Sequence, residues 1–492
     1  MRDAPDGALV VDDPITGHRT HLGTESATVF IALSAGHDTP AALCAAAPGL
    51  DAALIRDRLA QMRDALLLEG DRWQAQQALF TAAPPRKAPE DLPVEVHKAL
   101  RHRCVRCGSS CLGAGVGPVG EATEAAIAKH RLWQGVPGVE SADALLMHAP
   151  GGPFVRTIDD ACGLLREGAA CAAHAAAGAA AKPGGCQQFP YLFAVGPDAV
   201  YAGLQMECRS FPAALRQGND WTPAALGADL ATGLAAAPGV EALPDPVALA
   251  PGLFAPLADW MADWRVGLSV IEGADDAFRA LDALTAIAHQ RIEARATALG
   301  PDPAWLRDPF WPAAPIDAEA LRRALPGQVM AACAWLTHEA ARSGAIIAQE
   351  QAELARKAAV VALGGGRLPP TEFADAAGPA LLHTALLGEW FGHRPILGAD
   401  LLYGLGRLRL SLTLTEALAR LRAAQAARRI VRVDDVNDAL VIVGQTLRAG
   451  VVEQTLRAAQ AAVRALALPG APFSTWMGRP HPGLTAGGVT VT

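Results

Sequence analysis

The sequence predicts a mainly α protein with small α+β parts: a small N-terminal module, a metal-stabilised cysteine-cluster domain and an all-helical C-terminal domain. Three observations carry that expectation. Apolar residues recur at helical spacing through most of the chain from about Leu257 to Leu468. Short strand and helix patterns fill the first eighty or so residues. Seven of the nine cysteines fall between Cys104 and Cys208. The expected units span residues 1–82, 90–215 and 216–492.

Composition supports a folded chain with room for several domains. Of 492 residues, 51% are hydrophobic and 19% charged, too apolar for a disordered chain. The net charge of −8 argues against nucleic acid as a partner, because phosphate binding needs basic surface. The stretch Gly168 to Ala181 is the most lipid-like, yet it carries His174 and is too short to span a bilayer, so no membrane partner is expected. The start of the chain, Met1 to Asp6, is polar and acidic, with no apolar segment of the secretory kind after it. A cytoplasmic location follows as the expectation, and there a reducing environment disfavours disulfides.

The first module reads as two strands and three helices. Ala8 to Val11 is a strand, Asp13 to Gly17 a turn, and His18 to Leu22 the return strand. Helices are expected from Ser26 to Ser34, after the Thr39-Pro40 cap, and from Asp51 to Glu69. The last carries Leu54, Ile55, Leu59, Met62 and Leu66 on one face and stops at Gly70. Asp71 to Phe80 is expected as a wing. This order suggests a winged-helix shape and resembles the PqqD-like peptide-chaperone domain. Residues 1–80 hold six arginines and no lysine against eleven carboxylates, so a protein or peptide partner fits this module better than DNA. A Pro-rich linker, Ala82 to Pro89, follows.

The cysteines then come in two clusters. Cys104 and Cys107 have C-x2-C spacing, which lets two sulfurs face one ion, and Cys111 follows closely. Arg101, Arg103 and Arg106 would offset the negative charge of a thiolate site. The second cluster contains Cys162, Cys171 with His174 at C-x2-H spacing, Cys186 after Lys182-Pro183-Gly184-Gly185, and Cys208. Seven thiols exceed the four of one zinc site or one [4Fe–4S] cluster. Either one site uses four and the other thiols stand around it or act as redox partners, or two sites share all seven with His174. Cys44 and Cys333 sit in alanine-rich helical context and read as small buried residues.

The pattern C-x-x-L-x-x-G-x-x-C-x-x-H (Cys162 to His174), then K-P-x-x-C-x-x-F-P (Lys182 to Pro190), resembles the YkgJ-type cysteine cluster family. That resemblance covers roughly residues 100–210 and implies a zinc- or iron-chelating domain. The flagellin lysine N-methylases carry a similar cluster, associated in them with an iron–sulfur centre. The chain departs from the family pattern at Cys111-Leu112, where a Cys-Cys doublet is usual. The metal ligands implied are Cys104, Cys107, Cys111, Cys162, Cys171, His174, Cys186 and Cys208.

The C-terminal region shows helical patterns at Ala318 to Leu325, Val329 to Leu363, Ala380 to Phe391, Leu412 to Arg428 and Asp434 to Leu466, the last broken near Ala449-Gly450. The run Val360 to Gly366 lacks the full G-x-G-x-x-G frame, and Gly364 reads as a helix stop, not a nucleotide loop. His383, Glu389 and His393 lack zincin spacing and read as a polar helix end. Trp260 and Trp264, four apart, read as core. Arg407, Arg409, Arg420, Arg422, Arg428, Arg429 and Arg432 read as a solvated helix face.

Two functions follow as expectations. The first is a metal-binding protein holding zinc or iron, the latter as [4Fe–4S], in a structural, regulatory or peptide-docking role. The alternative is a metal-cluster-dependent protein-modifying enzyme resembling flagellin lysine N-methylase, with S-adenosylmethionine as donor.

Overall fold

A computed structural model describes the chain except for residues 1, 4–8, 13–18, 38, 65–70, 83–86, 101–107, 109–110, 113–115, 150–151, 168–169, 206, 210–240, 301–317, 343–345, 364–370 and 468–492. The protein is mainly helical, with several small sheets.

At the N-terminus, strands Arg2–Asp3, Leu9–Asp12 and Arg19–Leu22 form a small antiparallel sheet. Helices Thr24–Ser34, Pro40–Ala46 and Ala52–Asp64 follow. Thr39 caps the second, its side-chain oxygen accepting from Ala42 N. Ile55, Leu59 and Met62 are fully buried against Val29 and Leu43 in a core of their own, as the apolar face of that helix requires. The expected wing is different: Asp71–Ala82 is a helix. Gln74 to Leu79 consists of Gln, Ala and Leu, which favour helix and offer no turn chemistry. This helix leaves the module. Gln76 accepts from Phe254 N, and Phe80 packs edge-on against Phe254 at 5.2 Å.

The main core joins the C-terminal helices to a four-stranded sheet. Its strands run in the order Glu241–Ala242, Tyr191–Val195, Val200–Leu204, Val94–Val96. The central pair is an antiparallel hairpin, and each edge strand is parallel to its neighbour. Both central strands are buried on both faces, which explains their unbroken apolar runs. Residues 94–96 and 191–208, expected within the cysteine region, therefore share the core of the helical region.

Around this sheet stand helices Leu257–Gly273, Ala277–Ala298, Ala318–Arg342, Ile346–Leu363, Ala377–Phe391, Leu401–Gln425, Val433–Arg448, Gly450–Ala458 and Gln460–Ala465. The expected break near Ala449 is present. Leu401–Gln425 is buried almost all round and forms the centre of the bundle. Its arginines are consequently not the solvated face expected. Arg409 is buried and pairs with Asp282, Arg407 pairs with Glu453, and Arg420 with Glu416. Arg422 pairs with Asp438 at 2.6 Å and Arg428 with Asp435 at 2.7 Å, while Arg429 and Arg432 are exposed. Trp260 and Trp264 are core, as expected. Glu389 and His393 lie at the end of helix Ala377–Phe391, as expected, and both are buried. Among the described residues no helix is long and apolar enough to cross a membrane.

Candidate functional site

In the chain between strand Val94–Val96 and the central hairpin comes a smaller unit with its own core, built from residues 116–186. Four cysteines lie in or against this core. Cys162 is a buried member, and Cys111, Cys171 and Cys186 pack against the same core from four separate chain segments.

Local chain geometry explains the convergence. Thr157–Ile158 and Ala161–Cys162 form a tight hairpin whose two turn residues, Asp159 and Asp160, both have positive φ (47° and 60°), as a twist-matched two-residue turn needs. Leu112 bridges to Ala161, which brings the Cys111 segment alongside Cys162. Leu165–Arg166 pairs with Ala170–Cys171, returning Cys171 to the same region at the start of helix Ala172–Ala177. Cys186 sits in the short helix Gly184–Gln188, where its N–H donates to Pro183 O at 2.8 Å. Gly163 has no room for a side chain: a Cβ there would meet Leu145 Cδ1 at 2.6 Å and Arg156 O at 3.1 Å. Arg166 ties the unit together, donating to the carbonyls of Gly163 (2.9 Å), Leu165 (3.0 Å) and Leu132 (2.5 Å).

The electrostatics of these thiols are coupled. Burial pushes the Cys186 thiol well above the ordinary range, Lys182 opposes that shift, and neighbouring Cys111, Cys162 and Cys171 add to it. Burial also raises Cys162, while N–H groups of Leu164 and Leu165 hydrogen-bond toward its sulfur and, with Arg166, favour the thiolate. Cys162, Cys171 and Cys186 are free thiols.

The other expected ligands lie elsewhere. His174 is exposed on its helix. Cys208 is buried in the main core, apart from the four-cysteine unit. Cys104 and Cys107, with Arg101, Arg103 and Arg106, fall outside the described residues. Cys333 is buried in the helical core, and Cys44 packs half-buried in the N-terminal one, as inert thiols do. Among the described residues, no group of three or more His, Cys, Asp or Glu side chains has metal-holding geometry. The donor chemistry nevertheless suits a thiophilic ion, since four soft sulfurs share one core with backbone donors aimed at one of them. Sequence reasoning missed those donors and the Arg166 clamp. Their signal was the Gly163-Leu164-Leu165-Arg166 run after Cys162.

No protein-family model, curated protein or solved structure matches this chain.

Proposed function

We propose that the protein is a metal-binding protein in which thiolates of Cys111, Cys162, Cys171 and Cys186, together with the Cys104–Cys107 pair, hold zinc or an iron–sulfur centre. One observation carries the reading: four cysteines from separate segments pack in or against one small aliphatic core. Buried inert cysteines are usually scattered, as Cys44, Cys208 and Cys333 are here. Four in one core place mutual desolvation and repulsion on any thiolate, which a cation relieves. Ligation would draw the sulfurs from packing contact to about 2.3 Å from zinc. When bound, the ion would supply cross-linking of a unit whose core is small. On this reading residues 116–186 form a metal-stabilised domain. The N-terminal unit, a three-stranded sheet with helices and a helix where a wing was expected, would dock a protein or peptide.

The test is an absorption spectrum of protein purified without oxygen, with zinc, iron and acid-labile sulfide counted on the same sample. One or two zinc ions in a colourless protein support a structural or regulatory site. Near-equal iron and sulfide with a broad band near about 400 nm support a cluster, and favour the protein-modifying alternative for further work. Protein with neither metal nor sulfide, and no uptake of either on reconstitution, defeats the proposal.

A further inference from the structure

A second site stands apart from the cysteines, among helices Ala377–Phe391, Leu401–Gln425, Val433–Arg448 and Gly450–Ala458. They line a partly open cavity of ≈ 150 Å³. A space of that size takes a ligand of about six heavy atoms, or several waters.

Its lining is charged and incompletely satisfied. Glu207 is 5% exposed. Its Oε1 lies 2.6 Å from Arg448 Nε, an ion pair without hydrogen-bond alignment, and its Oε2 has no hydrogen-bond partner among the described residues. Tyr403, 2% exposed, likewise has a buried hydroxyl with no hydrogen bond of good geometry. Glu389 is buried, with Arg448 Nη2 3.6 Å from its Oε1. Arg394 forms no hydrogen bond or salt bridge with the described residues; burial and nearby Arg448 disfavour its charge, while Glu389 and Glu241 favour it. Arg407 is different: it pairs with Glu453 and donates to Leu447 O at 3.3 Å. The Arg394 guanidinium, an unbonded Glu207 carboxylate oxygen and the poorly bonded Tyr403 hydroxyl thus face one space. Such groups cost stability unless something satisfies them.

The chain makes room for this arrangement. A Cβ on Gly444 would meet Glu207 Cδ at 2.9 Å, so only glycine lets that carboxylate reach the cavity. A Cβ on Gly404 would meet Pro395 Cα at 2.5 Å, so glycine also lets Arg394 and its neighbours approach the central helix.

The spare charges select the ligand. A simple anion would satisfy Arg394 but meet the carboxyls of Glu207 and Glu389. A simple cation would face Arg394 and Arg448. We infer that the cavity binds the zwitterionic group of a small α-amino acid, its carboxylate on Arg394 and its ammonium on Glu207, with Tyr403 hydrogen-bonded to the ligand. This inference does not depend on the metal-binding proposal.

The experiment is a thermal-shift and calorimetric titration of the full chain with each of the twenty L-amino acids. Acetate and ethylamine at matched concentration serve as half-ligands. At least one amino acid is expected to raise the melting temperature saturably, with neither half-ligand doing so. Arg394→Gln is expected to weaken that binding at least tenfold. Tyr403→Phe removes a hydroxyl that makes no well-aligned hydrogen bond in the fold, Arg407 being its charged neighbour. It should weaken binding about five- to tenfold without lowering the melting temperature of the unliganded protein. The inference is overturned if no amino acid shifts the melting temperature, if acetate or ethylamine alone matches the effect, or if Tyr403→Phe leaves the affinity unchanged.

Discussion

His393 shows what a single residue can demand of its surroundings. It is fully buried with φ of +53°, and its Nδ1 accepts from Trp260 Nε1 at 3.0 Å. Its ring stacks on Trp264 with centroids 4.5 Å apart. That donor fixes a neutral ring with its proton on Nε2. Burial lowers its pKa from 6.5 to about 3. Between those values the unfolded chain binds a proton that the folded chain refuses, so stability falls as the pH drops from about 6.5 toward 3. The slope from this group is at most about 1.4 kcal/mol per pH unit. Urea denaturation of wild type and His393→Asn, pH 7 to pH 4, should show the variant less stable at neutral pH but with a shallower loss on acidification. Parallel curves would rule out His393 as the cause. In sequence this residue resembled a polar helix end. Nothing local signals that Trp260, 133 positions earlier, will meet it.

At the scale of elements, helix Ala377–Phe391 lies directly on strand Val200–Leu204. The close approach depends on glycines on both sides. A Cβ on Gly203 would sit 2.7 Å from Gly392 Cα, and one on Gly388 2.8 Å from Leu204 O. These obstacles are backbone, which cannot rotate away. Gly203→Ala is therefore expected to cost about 1–3 kcal/mol and to lower the melting temperature. An unchanged melting temperature would mean that helix and strand slide apart cheaply. Helix existence was largely readable from apolar periodicity, including the break near Ala449. The Asp71–Ala82 helix was not, because its expected role came from a fold-level pattern and not from its own Gln, Ala and Leu residues. The arginines of Leu401–Gln425 were misread for a different reason. Period and charge suggest a wet face, but Arg409 reaches Asp282, which is 127 residues away in sequence.

For the whole molecule, the decisive feature is how the chain distributes its cysteines between two cores. Cys162, Cys171 and Cys186 belong to the unit of residues 116–186 and Cys111 packs against its core, whereas Cys208 belongs to the core of the sheet and helices. Metal content should separate them. Cys171→Ser and Cys186→Ser are expected to lose most bound zinc or iron, and Cys208→Ser to retain it, measured on anaerobic protein against wild type. Equal loss in all three would place Cys208 in the site despite its packing. A chelator should lower the melting temperature of wild type and leave Cys171→Ser nearly unchanged, because ion binding stabilises only the folded form.

The amino-acid sequence by itself determined the mainly helical character, the buried tryptophans and the cluster of thiols as the place to look. Those follow from periodicity and spacing, which act over a few residues. Only the tertiary structure decided which cysteines meet, and that strands 191–204 belong with the C-terminal helices. It alone gathered Glu207, Glu389, Arg394 and Tyr403 around one cavity. Each of those depends on contacts between segments tens to hundreds of residues apart. Burial and charge pairing at that range are set by how layers close on one another, and no local pattern encodes it.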